Sequence, residues 1–223
     1  MLQLWHAHQR YRGGDRAAGI DTRHAFSFSG SYAPDNLRWG PLVACNEERV
    51  APGGGYDLHQ HRDLEIVTWV LEGELEHRDS TGQRTVVRPG DVQRLYAGSG
   101  ARHEERQYGE GPLRFLQMWL LPLHFGGEPE YEVVRGIADG TPFAPRQADA
   151  LLHLRRLGAG QRLVLPEAPW TYVHLARGRL ALDEGELDEG GAVRSRDEPR
   201  RELRALTEVE CLVWELYAEP EFG

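Results

Sequence analysis

The chain has 223 residues, 40% of them hydrophobic and 27% charged, an ordinary composition for one large or two small globular domains with a real core. Its formal net charge of −9 argues against direct binding to a nucleic-acid backbone, which needs a basic face. All 26 basic residues are arginine, so no lysine chemistry is available, and no apolar run approaches the ~20 residues of a membrane-spanning helix.

The N-terminus, Met1 to His6, lacks the basic-then-apolar layout of a secretory signal, and a cytoplasmic protein is expected. Cys45 and Cys211 stand far apart in apolar runs and read as buried structural thiols. His24-Ala25-Phe26-Ser27-Phe28 alternates like a short strand, and Pro41 to Asn46 reads as another. Arg49 to Tyr56, with Gly53-Gly54-Gly55, bends the chain. Strands are then expected at Ile66–Leu71, Glu74–Asp79, Arg84–Val87, Val92–Tyr96, Arg102–Arg106 and Leu113–Leu121. Gly and Pro turns separate them, the signature of a β-sandwich or barrel. The one helix candidate is short, around Pro145 to Leu152.

The second half repeats the first in outline. Trp170 to Leu182 follows the plan of Ile66 to Leu75: an apolar strand, one polar residue and Gly, then an alternating strand. Leu203–Leu206 and Cys211–Leu216 echo the later strands, Asp183 to Gly191 reads as a solvated hairpin loop, and Glu128 to Ala144 as a linker. The expected fold is all-β: two tandem antiparallel barrels of jelly-roll type with few short helices, 1–140 and 141–223.

His59 and His61 are two apart, so on a strand they share a face and can chelate a metal. His103 and Glu105 supply a matching pair just after the glycine bend Gly98-Ser99-Gly100, with Glu104 on the opposite face. Three imidazoles and a carboxylate suit a divalent transition ion such as iron, copper, nickel, manganese or zinc. Glu65 has the right parity but lies four residues, about 13 Å of extended chain, beyond His61. Asp63 is expected to orient an imidazole. His6-Ala7-His8 has no downstream partner pair, and His24, His77, His124, His153 and His174 read as structural or surface residues. Leu163 to Pro169 stands in the second copy where the first carries its histidines, so that copy should be metal-free.

His59-x-His61-x3-Glu65 followed by Gly73 resembles the first cupin motif, and Gly98 to His103 the second, with Gly98 in the place of a proline. The pirin-like proteins are closer still. The resemblance rests on His24 to Phe28, His59 to Ile66, Leu71-Glu72-Gly73, His77 to Ser80, and Ala97 to Gly100 leading to His103-Glu104-Glu105. Arg23 stands where that family often has Trp. The resemblance implies a bicupin with one metal ion, iron first among the candidates, in the N-terminal copy, held by His59, His61, His103 and Glu105. It further implies quercetin 2,3-dioxygenase activity: a flavonol, a small aromatic substrate, opened by O2 with release of carbon monoxide, Glu105 serving as general base. The alternatives it carries are a metal-dependent regulator that binds a protein partner, or a dioxygenase of another enol or catechol.

Overall fold

The computed structural model describes residues 1–198 and 200–218. The strands in the first part of the chain are β1 (Leu2–Trp5), β2 (Tyr11–Gly13), β3 (Ile20–His24), β4 (Leu42–Val50), β5 (Gly55–His61) and β6 (Glu65–Glu72). There follow β7 (Glu74–Asp79), β8 (Arg84–Val87), β9 (Val92–Tyr96), β10 (Ala101–Tyr108), β11 (Leu113–Leu120) and β12 (Glu130–Val134). The remainder are β13 (Pro142–Phe143), β14 (Ala150–Leu157), β15 (Arg162–Val164), β16 (Trp170–Arg177) and β17 (Arg179–Leu182). The last are β18 (Gly185–Asp188), β19 (Ala192–Arg196), β20 (Glu202–Ala205) and β21 (Val209–Leu216). Among the described residues the only helical turn is a short 3-10 segment, Ala7–Gln9.

The described residues divide into two units, Tyr11–Ile137 on the one hand, and Met1–Arg10 with residues 138–218 on the other. In the first unit a seven-stranded sheet runs β12-β9-β6-β11-β4-β3-β2, and a four-stranded sheet runs β5-β10-β7-β8. Ile20, Val50, Val70, Leu113 and Phe115 of the larger sheet share one core with Leu75 and Val87 of the smaller. In the second unit the orders are β1-β19-β16-β21-β14-β13 and β15-β20-β17-β18. Val173, Leu175 and Val213 there pack with Leu163, Leu180, Leu187 and Leu203. Both units are therefore antiparallel two-sheet sandwiches, and the all-β, two-cupin expectation holds. The barrels are not closed: among the described residues of each unit no ladder joins one sheet to the other, and the end strands β2, β8 and β13 are two to four residues long.

The repeat is carried by a corner. β6, rich in β-branched residues, lies in the large sheet, and Gly73 turns the chain into β7 of the small sheet. Gly73 has φ +75°, and a Cβ there would sit 2.4 Å from the Pro112 carbonyl oxygen. Gly178 makes the same corner between β16 and β17 at φ +88°.

Four local expectations are corrected. Pro145 to Leu152 is not helical: Ala150, Leu152 and Leu154 are buried while Leu151, His153 and Arg155 are half-buried, a period of two that makes β14. Asp183 to Gly191 contains β18, because Leu187 is wholly buried in the core and pairs with Leu180. Glu128 to Ala144, expected as a linker, does carry the boundary between the units but is not structureless: it holds β12, paired with β9, and β13, paired with β14. The strand expected over His24–Phe28 ends at His24. In addition, the first strand, β1, pairs with β19 (Leu2 with Ser195, Trp5 with Ala192), so the first ten residues belong with the chain's second half.

Candidate metal centre

β5 and β10 pair antiparallel, with Cα partners His103–His59 and Ala101–His61. Beyond His103 the register shifts, so that Glu105 faces Tyr56 and two residues of β5, Asp57 and Leu58, stand against Glu104. Such a bulge re-aims neighbouring side chains and is common beside functional sites. Along β10, His103 and Glu105 are buried, whereas Glu104 turns to the other face and pairs with Arg78 at 3.2 Å.

His59, His61 and His103 bring one potential donor atom each to within 4.8 Å of one another. Their ring centroids lie 4.5 to 5.1 Å apart. His59 donates from Nδ1 to the Asp57 carbonyl at 2.7 Å, which leaves Nε2 as its ligand atom. His61 and His103 each bury an Nε2 with no hydrogen-bond partner. A buried polar atom without a partner is unfavourable, and a cation shared by these two nitrogens and His59 supplies what is missing. Burial pushes the His61 imidazole down to about 4, helped by His59 beside it. Burial likewise pushes His103 down to about 4. Both are neutral near pH 7, the state that ligates a metal. The residues present therefore fit a divalent transition ion.

Glu105 joins a second group, with His77 and His103, again within 4.8 Å. It is 1% exposed. Gln93 donates to its Oε1 at 2.9 Å and Gln117 to its Oε2 at 2.7 Å. Burial alone would raise its carboxyl, but the imidazoles of His103 and His77 and the two amide hydrogen bonds outweigh burial and hold it below the usual range. His77 is thus no isolated residue: its Nδ1 lies 3.2 Å from Nδ1 of His103, and its ring stacks on Tyr131 at 4.3 Å. Only the register of β7 on β10, which sets His77 opposite Glu105, reveals this. Glu65 is wholly buried in an ion pair with Arg94 of β9. Asp63 orients no imidazole; its Oδ1 accepts the Gly126 amide and its Oδ2 lies 3.3 Å from Nε of Arg62.

A cavity of about 510 Å³ opens onto the centre, lined by His59, His61 and Glu105 and on its walls by Phe28, Tyr56 and Trp119. Trp119 meets the His61 ring edge-on at 5.0 Å, and Phe28 meets Trp119 at 5.0 Å. His24 also lines it, its Nδ1 2.9 Å from Oδ1 of Asn46, a placement the sequence did not signal. Glu48 accepts the hydroxyls of Thr22 and, at 2.9 Å, Tyr56 on the same oxygen.

Two antiparallel sandwiches in tandem, the first bearing convergent imidazoles from paired strands, define a two-domain cupin. The pirin family model matches residues 6–120, and the quercetinase C-terminal cupin domain model matches residues 146–216. A Mycobacterium tuberculosis protein with a provisional quercetin 2,3-dioxygenase name is 40% identical over 230 residues, covering 93% of this chain and 94% of its own. The crystal structure of the Escherichia coli pirin YhhW in complex with nickel(II) superimposes with a TM-score of 0.89 at 25% identity, covering 98% of this chain and all of that one. A quercetin 2,3-dioxygenase structure from Acinetobacter baumannii, 23% identical with a TM-score of 0.77 and covering 95% and 84% of the two chains, shares the fold. The chain belongs to the pirin family.

Proposed function

We propose that the chain is a metal-dependent dioxygenase that opens a flavonol such as quercetin with O2, releasing carbon monoxide, in a cytoplasmic setting. The observation that carries this reading is the convergence of His59, His61 and His103, two of them with buried unpartnered Nε2 atoms, on a cavity with aromatic walls. At about 510 Å³ the cavity falls in the ~300–1,000 Å³ range of sites for small organic ligands. Names carried by the relatives point the same way.

His59, His61, His103 and Glu105 are the proposed donor set in the N-terminal cupin, with iron as the proposed ion and copper, nickel, manganese or zinc as ions the same donors accept. When bound, the ion supplies Lewis-acid stabilisation of the substrate's enol oxygen as its proton leaves. Glu105 receives that proton on a carboxylate oxygen. Its pKa lies below the usual range, so it is ionised at neutral pH and takes a proton only from a hydroxyl already made acidic. Gln93 and Gln117 fix its two oxygens. Phe28 and Trp119 flank a flat ring and keep water from it. Overall, flavonol and O2 are consumed one for one, and one ring carbon leaves as carbon monoxide.

The test is quercetin under air with the metal-loaded protein, following flavonol absorbance and O2 uptake together. Turnover is expected in the wild type, none in His61→Ala, and a large loss in Glu105→Ala. A protein that holds its metal but turns over no flavonol with iron, copper, nickel or manganese would contradict the enzyme reading in favour of a metal-binding regulator. Full turnover in Glu105→Ala would remove Glu105 as base.

A further inference from the structure

We propose that His77 is the positioning residue of the centre: its Nδ1 accepts the Nδ1 hydrogen of His103 and so turns the lone pair on Nε2 of His103 toward the ion. The inference rests on the metal-centre reading above and adds a residue to it.

The two Nδ1 atoms are 3.2 Å apart and both rings are buried, His103 at 1% and His77 at 2% exposure. Two neutral imidazoles at that distance must share a single hydrogen between them. If His77 were the donor, His103 would carry its hydrogen on Nε2, where no acceptor lies within reach. A buried N–H without an acceptor carries the desolvation cost of that group. With His103 as donor, the buried Nε2 instead carries a lone pair, as ligation through that nitrogen requires, on the residue that shares a 4.8 Å donor cluster with His59 and His61.

His77 is held in place for this. It sits opposite Glu105 in the β7–β10 ladder, with Asp79 opposite His103, so the two imidazoles are diagonal neighbours on one face. Its other ring face is stacked on Tyr131, with an interplanar angle of 19°. The Tyr131 hydroxyl donates to Oε1 of Gln93 at 3.1 Å, and Nε2 of Gln93 donates to Glu105 at 2.9 Å. A chain of contacts thus runs from His103 through His77, half-buried Tyr131 and Gln93 to Glu105, tying the two donors that β10 contributes to the proposed set. Partners in this position commonly change metal affinity 10–100-fold when removed.

The rival occupant of the same cluster is a second ion, bound by His77, His103 and Glu105, whose donor atoms also lie within 4.8 Å. The experiment separates the two. Nickel(II) is titrated calorimetrically into metal-free wild type, His61→Ala, His77→Phe and His77→Gln, with a thermal melt of each metal-free protein. Phenylalanine keeps the ring on Tyr131 but removes the acceptor; glutamine restores an acceptor oxygen. The expected result is one nickel per wild-type chain, a 10–100-fold weaker affinity in His77→Phe, and affinity within about threefold of wild type in His77→Gln. Equal loss in both His77 variants assigns His77 to packing and overturns the proposal. So does unchanged affinity in His77→Phe, or a stoichiometry of two that falls to one in that variant. If wild type and His61→Ala bind nickel alike, the metal-centre reading itself fails, an outcome distinct from these. A metal-free His77→Phe that does not melt cooperatively is replaced by His77→Leu, read against the same glutamine control.

Discussion

His61 and His103 hold neutral imidazoles because burial outweighs the attraction of the Glu105 carboxylate close by. Burial takes both down to about 4 from an ordinary value of 6.5. Between those values the unfolded chain binds more protons than the folded one, so acid favours unfolding. The metal-free protein is expected to keep its full stability well above pH 6.5 and to lose on the order of 3 kcal/mol per imidazole on the way to about pH 4. Urea melts across that interval measure it, and a flat profile would contradict the placement of the two rings. Replacing His61 with alanine is expected to weaken metal binding by two orders of magnitude or more, read by metal content after dialysis, with the fold retained because His61 lies at the cavity wall. Much of this was legible from side-chain parity: counting by twos placed His103 and Glu105 on one face, and the structure buries both and leaves Glu104 outside. The placement of His77 was not legible, since it depends on which residue of β10 lies opposite it, and no local pattern encodes the register that brings together two residues 26 apart.

At the scale of strands, the ion pair between Glu65 of β6 and Arg94 of β9 joins two strands of the large sheet, both partners being almost wholly buried. Glu65→Ala leaves the Arg94 charge with Glu130, at 2.9 Å, as its nearer remaining carboxylate. The expected cost is about 3–5 kcal/mol of stability with full metal content, from urea melts and metal analysis on the same sample. Loss of metal at unchanged stability would make Glu65 a ligand after all. The corner at Gly178 makes a second prediction. A Cβ there would lie 2.1 Å from the Glu208 carbonyl oxygen, at a φ of +88°. Gly178→Ala is expected to destabilise by about 1–3 kcal/mol, seen as a lower melting temperature, without loss of metal. Strands bounded by Gly and Pro turns were read to the residue, as at Glu74–Asp79, Arg84–Val87 and Val92–Tyr96. β14 and β18 were missed because the apolar alternation that makes them starts inside stretches that read as a short helix and a solvated acidic hairpin loop.

For the whole molecule, the tandem repeat was visible in the shared plan of Ile66–Leu75 and Trp170–Leu182, and it appears as the same sheet-to-sheet corner in both units. The pairing of β1 with β19 was not visible, since nothing local in Leu2–Trp5 names a partner more than 180 residues away. The two copies differ in chemistry: among the described residues, both clusters of metal-ligand type lie in Tyr11–Ile137. One ion per chain is therefore expected, in the first copy alone. Anomalous X-ray diffraction from crystals of the metal-loaded protein, at the absorption edge of the bound ion, measures its position directly. The account predicts one peak per chain, about 2.0–2.2 Å from Nε2 of His59, His61 and His103, with Glu105 on the same ion. A peak in the second copy, or one held by His77, His103 and Glu105 without His59 and His61, would contradict it.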